Sequence, residues 1–175
     1  METIASLVQT GTSIFAIVIA IYALYKEGKR ARFSLGIEIL LDKGKYFNSA
    51  EFKDQRKKTA KIMRKIIYSI PDGGSANFST QSHHNKDQIL DFFQTIGSLT
   101  KEKVLDLKFV WSEYSYWLIH YWEFFYPAVQ IDRDEHGEYF WEDVEWLYQQ
   151  FEKKFTKRKC KVDFIGFVEY ELSLK

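Results

Sequence analysis

Disulfide chemistry is closed to this chain from the start. It has a single cysteine, Cys160, so it cannot form an intramolecular bridge or, unless subunits share it, a cysteine-based metal cluster. That economy suits a reducing compartment. Lys159 and Lys161 flank Cys160 and could lower its pKa, but a lone surface thiol is the simpler reading. Two prolines and nine glycines in 175 residues are too few for a loop-rich sandwich and favour helices. No Gly-x-Ser-x-Gly elbow, His-Glu-x-x-His helix or phosphate-cradling glycine loop occurs, and Gly73-Gly74 reads as a turn. Of the four histidines, His83 and His84 share a polar loop, His120 lies in an aromatic run and His136 in an acidic turn. No third ligand stands at a metal-binding spacing from them, so no metal and no cofactor is expected.

What the chain does have is apolar mass and an uneven charge. Hydrophobic residues at 46% and aromatics at 18% can build a core, which excludes wholesale disorder. The net charge of +1 hides a strong asymmetry. Residues 26–65 carry thirteen Lys/Arg against five Asp/Glu, and residues 66–175 carry twelve against eighteen. A basic block can serve RNA, anionic lipid or the acidic face of a second subunit. Its place directly after an apolar segment makes lipid headgroups the first choice.

That segment, residues 4–25, holds no charge. As a helix it would span roughly 33 Å, against about 30 Å of bilayer hydrocarbon. Ten of its residues are Ile, Leu, Val or Phe, and each favours insertion by roughly 0.3–0.6 kcal/mol. They must offset the polar run Gln9-Thr10-Gly11-Thr12-Ser13. A cleaved signal peptide fits poorly, because no basic n-region precedes the segment and Glu2 is acidic. A buried soluble core helix is the other alternative. Lys26, Lys29, Arg30 and Arg32 follow at once, and by the positive-inside rule they keep the rest of the chain cytoplasmic. At 100° per residue Ser6, Gln9, Thr10 and Ser13 share one narrow arc, as candidates to line a water-filled lumen. Beside them Thr12, Ala16, Ala20 and Ala23 make a small-residue stripe that would let another helix approach closely.

The expected organisation is therefore all-α. Residues 1–25 form a transmembrane helix, 26–48 a juxtamembrane basic helix, and 49–175 an up-and-down cytoplasmic bundle with a possible short extended C-terminal segment. The first helix should end near Lys43-Gly44. Ser49 should cap a second helix from Ala50 to about Ser69, with Phe52, Ile62, Ile66 and Ile67 inward. Its outer face is basic: Lys53, Lys57, Lys61 and Arg64, with Arg56, Lys58 and Lys65 beside them. Residues 71–84 read as a mobile polar loop. Asn85 should cap a third helix carrying Ile89, Leu90, Phe92, Phe93 and Ile96. Thr100 should cap a fourth, running to Tyr126 and stopped by Pro127. After a turn at residues 132–137, a fifth helix should cover about 140–156. Residues 162–174 alternate apolar and polar, as an extended segment would. The aromatic run 111–126 lacks basic residues, so it reads as core or subunit interface rather than a base-stacking surface.

One catalytic reading can be tested on spacing alone. Bundles of the HEPN class cleave RNA with an Arg-x4–6-His motif, the Arg holding phosphate and the His moving protons. No Arg stands at that distance before a His, and the nearest pair, Arg133 and His136, is too close. No enzyme is expected.

The uncharged span, the basic follow-on at residues 26–32, a helical domain without the RNase motif, and the aromatic segment Tyr116-Trp-Leu-Ile-His-Tyr-Trp-Glu-Phe-Phe-Tyr-Pro127 together resemble the small membrane accessory proteins of type VI-B CRISPR systems. The segments Ile89-Leu-Asp-Phe-Phe-Gln-Thr-Ile-Gly97 and Tyr121-Trp-Glu-Phe-Phe-Tyr-Pro127 also resemble a broader family of uncharacterised bacterial single-pass proteins. The resemblance implies a ring-like homo-oligomer, possibly octameric, whose N-terminal helices form a pore in the bacterial inner membrane. Such a pore would depolarise the membrane in antiphage defence beside an RNA-guided CRISPR effector. The alternative is a membrane-tethered adaptor without pore activity, which captures RNA or a protein partner through the basic face.

Overall fold

In a computed structural model the chain folds into helices only, six among the described residues. The structure describes residues 2–69, 83–155 and 162–174; for residues 2–16 and 83–85 it describes the backbone alone. The elements are α1 (Glu2–Phe47), α2 (Ala50–Ser69), α3 (His83–Lys101), α4 (Leu107–His136), α5 (Glu142–Phe155) and α6 (Phe164–Ser173). The expected polar loop at residues 71–84 falls almost wholly outside the described residues, as does Cys160.

Each helix start has a local cause. The Ser49 hydroxyl accepts from the Phe52 N–H at 3.2 Å, which caps α2 as its sequence implies. Asp106 caps α4 by accepting from Lys108 N–H at 2.8 Å, and Asp163 caps α6 by accepting from Gly166 N–H at 3.0 Å. Apolar side chains then recur at helical spacing. On α2 the buried set is Phe52, Arg56, Thr59, Ala60, Met63 and Ile66, while Ile62 and Ile67 are only half-buried. On α3 all of Ile89, Leu90, Phe92, Phe93 and Ile96 are buried.

The core is an aromatic cluster reached from every side. Phe47, the last residue of α1, sits 5.1–5.5 Å from the rings of Phe52, Phe92, Tyr114 and Trp117. Tilted and edge-to-face contacts of this kind add about 0.5–1.5 kcal/mol each beyond area burial. α4 runs through the centre: Leu118 to Trp122 are buried in succession with Tyr114, Phe124 and Phe125, while Tyr116 and Tyr126 of the aromatic run are exposed. α3 packs most extensively on α5, and α2 on α6.

Several boundaries differ from the sequence expectation. Thr100 caps nothing: it lies in the last turn of α3, where its hydroxyl donates to the Ile96 carbonyl at 2.7 Å. The chain then reverses through residues 102–105, with Lys103 at φ +59°, and α4 starts only after Asp106. Pro127 does not stop α4, which continues to His136. The carbonyl that Pro127 leaves without a donor belongs to Glu123; both residues are exposed, so water can serve it. On the opposite side Ala128, Val129 and Asp132 are buried and hold the helix straight through the expected turn. That turn is made instead by Gly137 at φ +107°. Gly44 does not end α1, which continues to Phe47. α3 begins at His83, upstream of the expected cap Asn85. The tail is helical rather than extended, because Phe164, Phe167, Val168 and Glu171 also repeat at 3–4 residues and Asp163 supplies the start.

Candidate functional site

α1 behaves as two pieces. Its 46 residues would measure about 69 Å end to end, yet only its C-terminal third touches the bundle. Every residue from 17 to 35 is exposed. Ile17, Val18, Ile19, Ile21 and Leu24 stand 54–69% open to their surroundings among the described residues. The first close approach is at Gly36, where a Cβ would collide with the Val104 carbonyl. Phe33 meets Phe109 at 5.9 Å, then Ile39 and Leu40 join the core edge and Phe47 enters it. Over residues 17–35 α1 is therefore no part of the bundle's core, which it joins through Ile39, Leu40 and Phe47.

The membrane span has to be weighed against this. Among the described residues no helix is long and apolar enough to cross a membrane. Charges begin at Lys26, so within the described side chains of α1 the uncharged stretch is residues 17–25. The candidate pore-lining residues Ser6, Gln9, Thr10 and Ser13 lie on the helical backbone of α1, but their side chains are outside the described residues. The same holds for Thr12 and Ala16 of the small-residue stripe; Ala20 and Ala23 are described, and both are exposed. Lys26, Lys29, Arg30 and Arg32 are exposed and form no ion pair among the described residues.

Below them α1 walls a groove of about 690 Å³ with the α3–α4 link and one edge of α5. Its floor is apolar, from Phe33, Ile37, Val104 and Trp146. Five cations reach it, Lys29, Arg32, Lys101, Lys103 and Lys154, against one carboxylate, Asp106. Lys101 is already engaged, bridging Glu142 at 2.8 Å and Asp143 at 2.9 Å. The hydrogen bond to Glu142, then that to Asp143, raises its pKa.

The basic face of α2 is only partly as expected. Lys61 and Arg64 are exposed, whereas Lys53 and Lys57 are half-buried. Lys58 pairs with Asp54 at 2.7 Å, and this hydrogen bond draws the Asp54 pKa down. Arg56 is a correction: it points inward and is 1% exposed. Its position four residues after Phe52 and four before Ala60 puts it on the apolar stripe, a signal that charge counting overrode. Its guanidinium donates to both oxygens of Glu171, at 2.8 and 2.6 Å, and lies 4.2 Å over the Phe47 ring. Tyr121 hydroxyl and Trp117 indole donate to the same carboxylate, each at 2.9 Å. Burial opposes the Arg56 charge, but the Glu171 hydrogen bonds and charge outweigh it and hold its pKa up. Burial, reinforced by the Glu171 carboxylate, pushes the Tyr121 phenol well above its ordinary range. A second buried pair, Lys86 with Asp132, ties α3 to α4.

No acid–base pair of the nuclease type is assembled by the residues that suggested one. Arg133 donates to the Phe140 carbonyl at 2.8 Å and pairs with Glu145, while the His136 Nδ1 donates to Asp132 carbonyl at 3.1 Å. His120 is packed flat on Phe167; its Nδ1 donates to the Tyr116 carbonyl at 2.7 Å and its Nε2 accepts from the Asp163 N–H at 3.3 Å. These contacts tie His120 of α4 to the start of α6. Among the described residues no group of His, Cys, Asp and Glu is placed to hold a metal ion.

Residues 10–151 match the family described as Domain of unknown function (DUF4760). No curated protein and no solved structure matches the chain.

Proposed function

The chain belongs to the DUF4760 family, and we propose that it acts as a single-pass inner-membrane protein whose α1 helices assemble into a pore that depolarises the membrane. The observation that carries the reading is the apolar run from Ile17 to Leu24 on α1, which is exposed and has no described residue of its own chain packed over it. A helix with exposed Ile, Val and Leu on all sides needs lipid or other helices around it. Upstream, the sequence continues uncharged to Thr3, long enough in total to span. Downstream, Lys26, Lys29, Arg30 and Arg32, which form no ion pair among the described residues, orient the bundle toward the cytoplasm. The small residues Ala20 and Ala23 offer a surface on which copies of α1 can meet, and Ser6, Gln9, Thr10 and Ser13 are the residues of the same helix suited to a wet lumen.

The mechanism follows from that arrangement. Cytoplasmic bundles associate, the projecting helices are drawn together, and ions leak when the polar stripes face a common axis. The resemblance to type VI-B accessory proteins supplies the context: antiphage defence, with an RNA-guided effector as trigger. No residue is assigned a catalytic role. The test is membrane potential, read with a voltage-sensitive dye in cells expressing the protein with and without an activated effector. Depolarisation on activation is the expected result, and a flat signal in both states removes the pore.

A second reading rests on exposed Lys61 and Arg64, which leave α2 with a positive outer edge. On it, the anchored bundle captures RNA or a partner without conducting. Charge reversal at Lys57, Lys61 and Arg64 abolishes capture on this reading and leaves depolarisation untouched on the first.

A further inference from the structure

We propose that the groove between α1, the α3–α4 link and α5 binds an anionic phospholipid, its headgroup among Lys29, Arg32, Lys103 and Lys154 and its apolar body along Phe33 and Val104. This deepens the membrane reading and rests on it, since that reading puts Tyr22 and Tyr25 at the inner headgroup level.

Charge is the first argument. Of the five cations that reach the groove, Lys101 is held by Glu142 and Asp143. The one carboxylate, Asp106, is occupied as the cap of α4. Lys29, Arg32, Lys103 and Lys154 therefore face the groove with no ion-pair partner among the described residues. Four cations against the single carboxylate Asp106 leave the common space with a positive balance that selects an anion, and the nearest abundant one under this reading is the leaflet itself.

Shape is the second. A Cβ at Gly28 would meet nothing within 4 Å, so there is open space beside α1 at the upper end of the groove. At its lower end Gly36 brings α1 hard against the Val104 carbonyl and closes the space. The wall from Leu24 to Gly36 is about 18 Å long. The volume of about 690 Å³ falls in the range of small-ligand sites, roughly 300–1,000 Å³. Besides the cations the lining holds Tyr25, Asp106 and Gln150 as polar side chains, and the Thr100 hydroxyl on its rim is already spent on Ile96. A glycerol backbone and acyl segment fit the apolar floor of Phe33, Ile37, Val104 and Trp146.

The experiment uses the full-length protein in a neutral detergent, with short-chain lipids as probes. Dihexanoyl phosphatidylglycerol should raise the melting temperature saturably at concentrations where dihexanoyl phosphatidylcholine has no effect. Lys103→Glu with Lys154→Glu should weaken the phosphatidylglycerol response at least tenfold. Gly28→Phe, which keeps every charge and whose Cβ meets nothing within 4 Å, should obstruct the upper end of the groove and weaken the response as well. Both variants are read against their own melting temperature without lipid, so a folding defect is visible as such. Equal responses to the two lipids, a response retained by both variants, or the same shift from inorganic phosphate at equal concentration would each overturn the proposal. Carbonate washing of membranes from expressing cells tests the anchor separately: release of the protein sinks the span, while the lipid selectivity is read independently of that result.

Discussion

Truncating Glu171 to alanine should be among the most damaging single changes available in this domain. The carboxylate accepts four hydrogen bonds, two from Arg56 and one each from Tyr121 and Trp117, and is itself fully buried. Removing it leaves a guanidinium that is 1% exposed, with only a 3.4 Å bond to the Phe47 carbonyl and the faces of two aromatic rings. Breaking a buried pair by deleting one partner costs about 3–5 kcal/mol, chiefly through the stranded charge. At about 2–4 °C per kcal/mol for a chain of this size, the melting temperature should fall by roughly 6–20 °C. The decisive comparison is the double variant Arg56→Met with Glu171→Leu, which removes both charges and keeps apolar volume. It should be less destabilised than Glu171→Ala alone, because no uncompensated charge remains. Urea unfolding of the single and double variants, arranged as a double-mutant cycle, measures the coupling. If the two single losses simply add, or if Glu171→Ala costs less than about 1 kcal/mol, the stranded-charge argument is wrong.

Other outcomes follow from single positions. Gly36→Ala forces a methyl onto the Val104 backbone, which cannot swing aside like a side-chain tip; about 1–3 kcal/mol of overpacking should appear as faster limited proteolysis between α1 and the bundle. Burial pushes the Tyr114 pKa up to about 12 from its ordinary 10. The unfolded phenol ionises first, so this group's stabilisation is complete below pH 10 and is lost as pH rises to 12. Tyr114→Phe should therefore flatten part of the alkaline loss of melting temperature over that window, and parallel curves would refute it. Hydrogen exchange should separate a local from a global role for Arg56. Glu171→Ala should speed exchange at residues 43–47 more than Val144→Ala does, since Val144 is buried on α5, away from the α1 terminus.

The helices were legible wherever a stripe was long and its cap unambiguous. Ser49 with the Phe52–Ile66 stripe, and the apolar positions of α3, could be read directly because burial needs only 3.6-residue spacing. The misreadings share a cause: a strong local signal was followed where a tertiary contact decided. Pro127 is a helix breaker in isolation, but the burial of Ala128, Val129 and Asp132 outweighs one missing hydrogen bond on a wet face. Thr100 has a capping side chain, yet Gly97 lies so close to the Asp143 backbone that α3 is clamped to α5 through that turn. In the tail, alternation and helical spacing coincide over a few residues, and only Asp163 tips the balance. The groove was not legible at all. Its cations come from α1, the α3–α4 link and α5, far apart in sequence, and no spacing rule brings them together.

Arg56 changes how the projecting helix should be understood. α1 is joined to the bundle by Phe47, and the same guanidinium that lies over the Phe47 ring also reaches its carbonyl. Glu171 holds that guanidinium from α6, and Tyr121 and Trp117 hold Glu171 from α4. Three helices thus fix the base of α1 through one ionic joint. A joint built this way is stiff, because charge-assisted bonds are short and directional and have no alternative partners nearby. A passive tether would not need it, since one buried aromatic would suffice. A stiff base matters only if the direction of the projecting helix is to be set by the bundle beneath it. On the pore reading that is the required property: association of bundles can orient the spans only if each span is rigidly coupled to its own bundle.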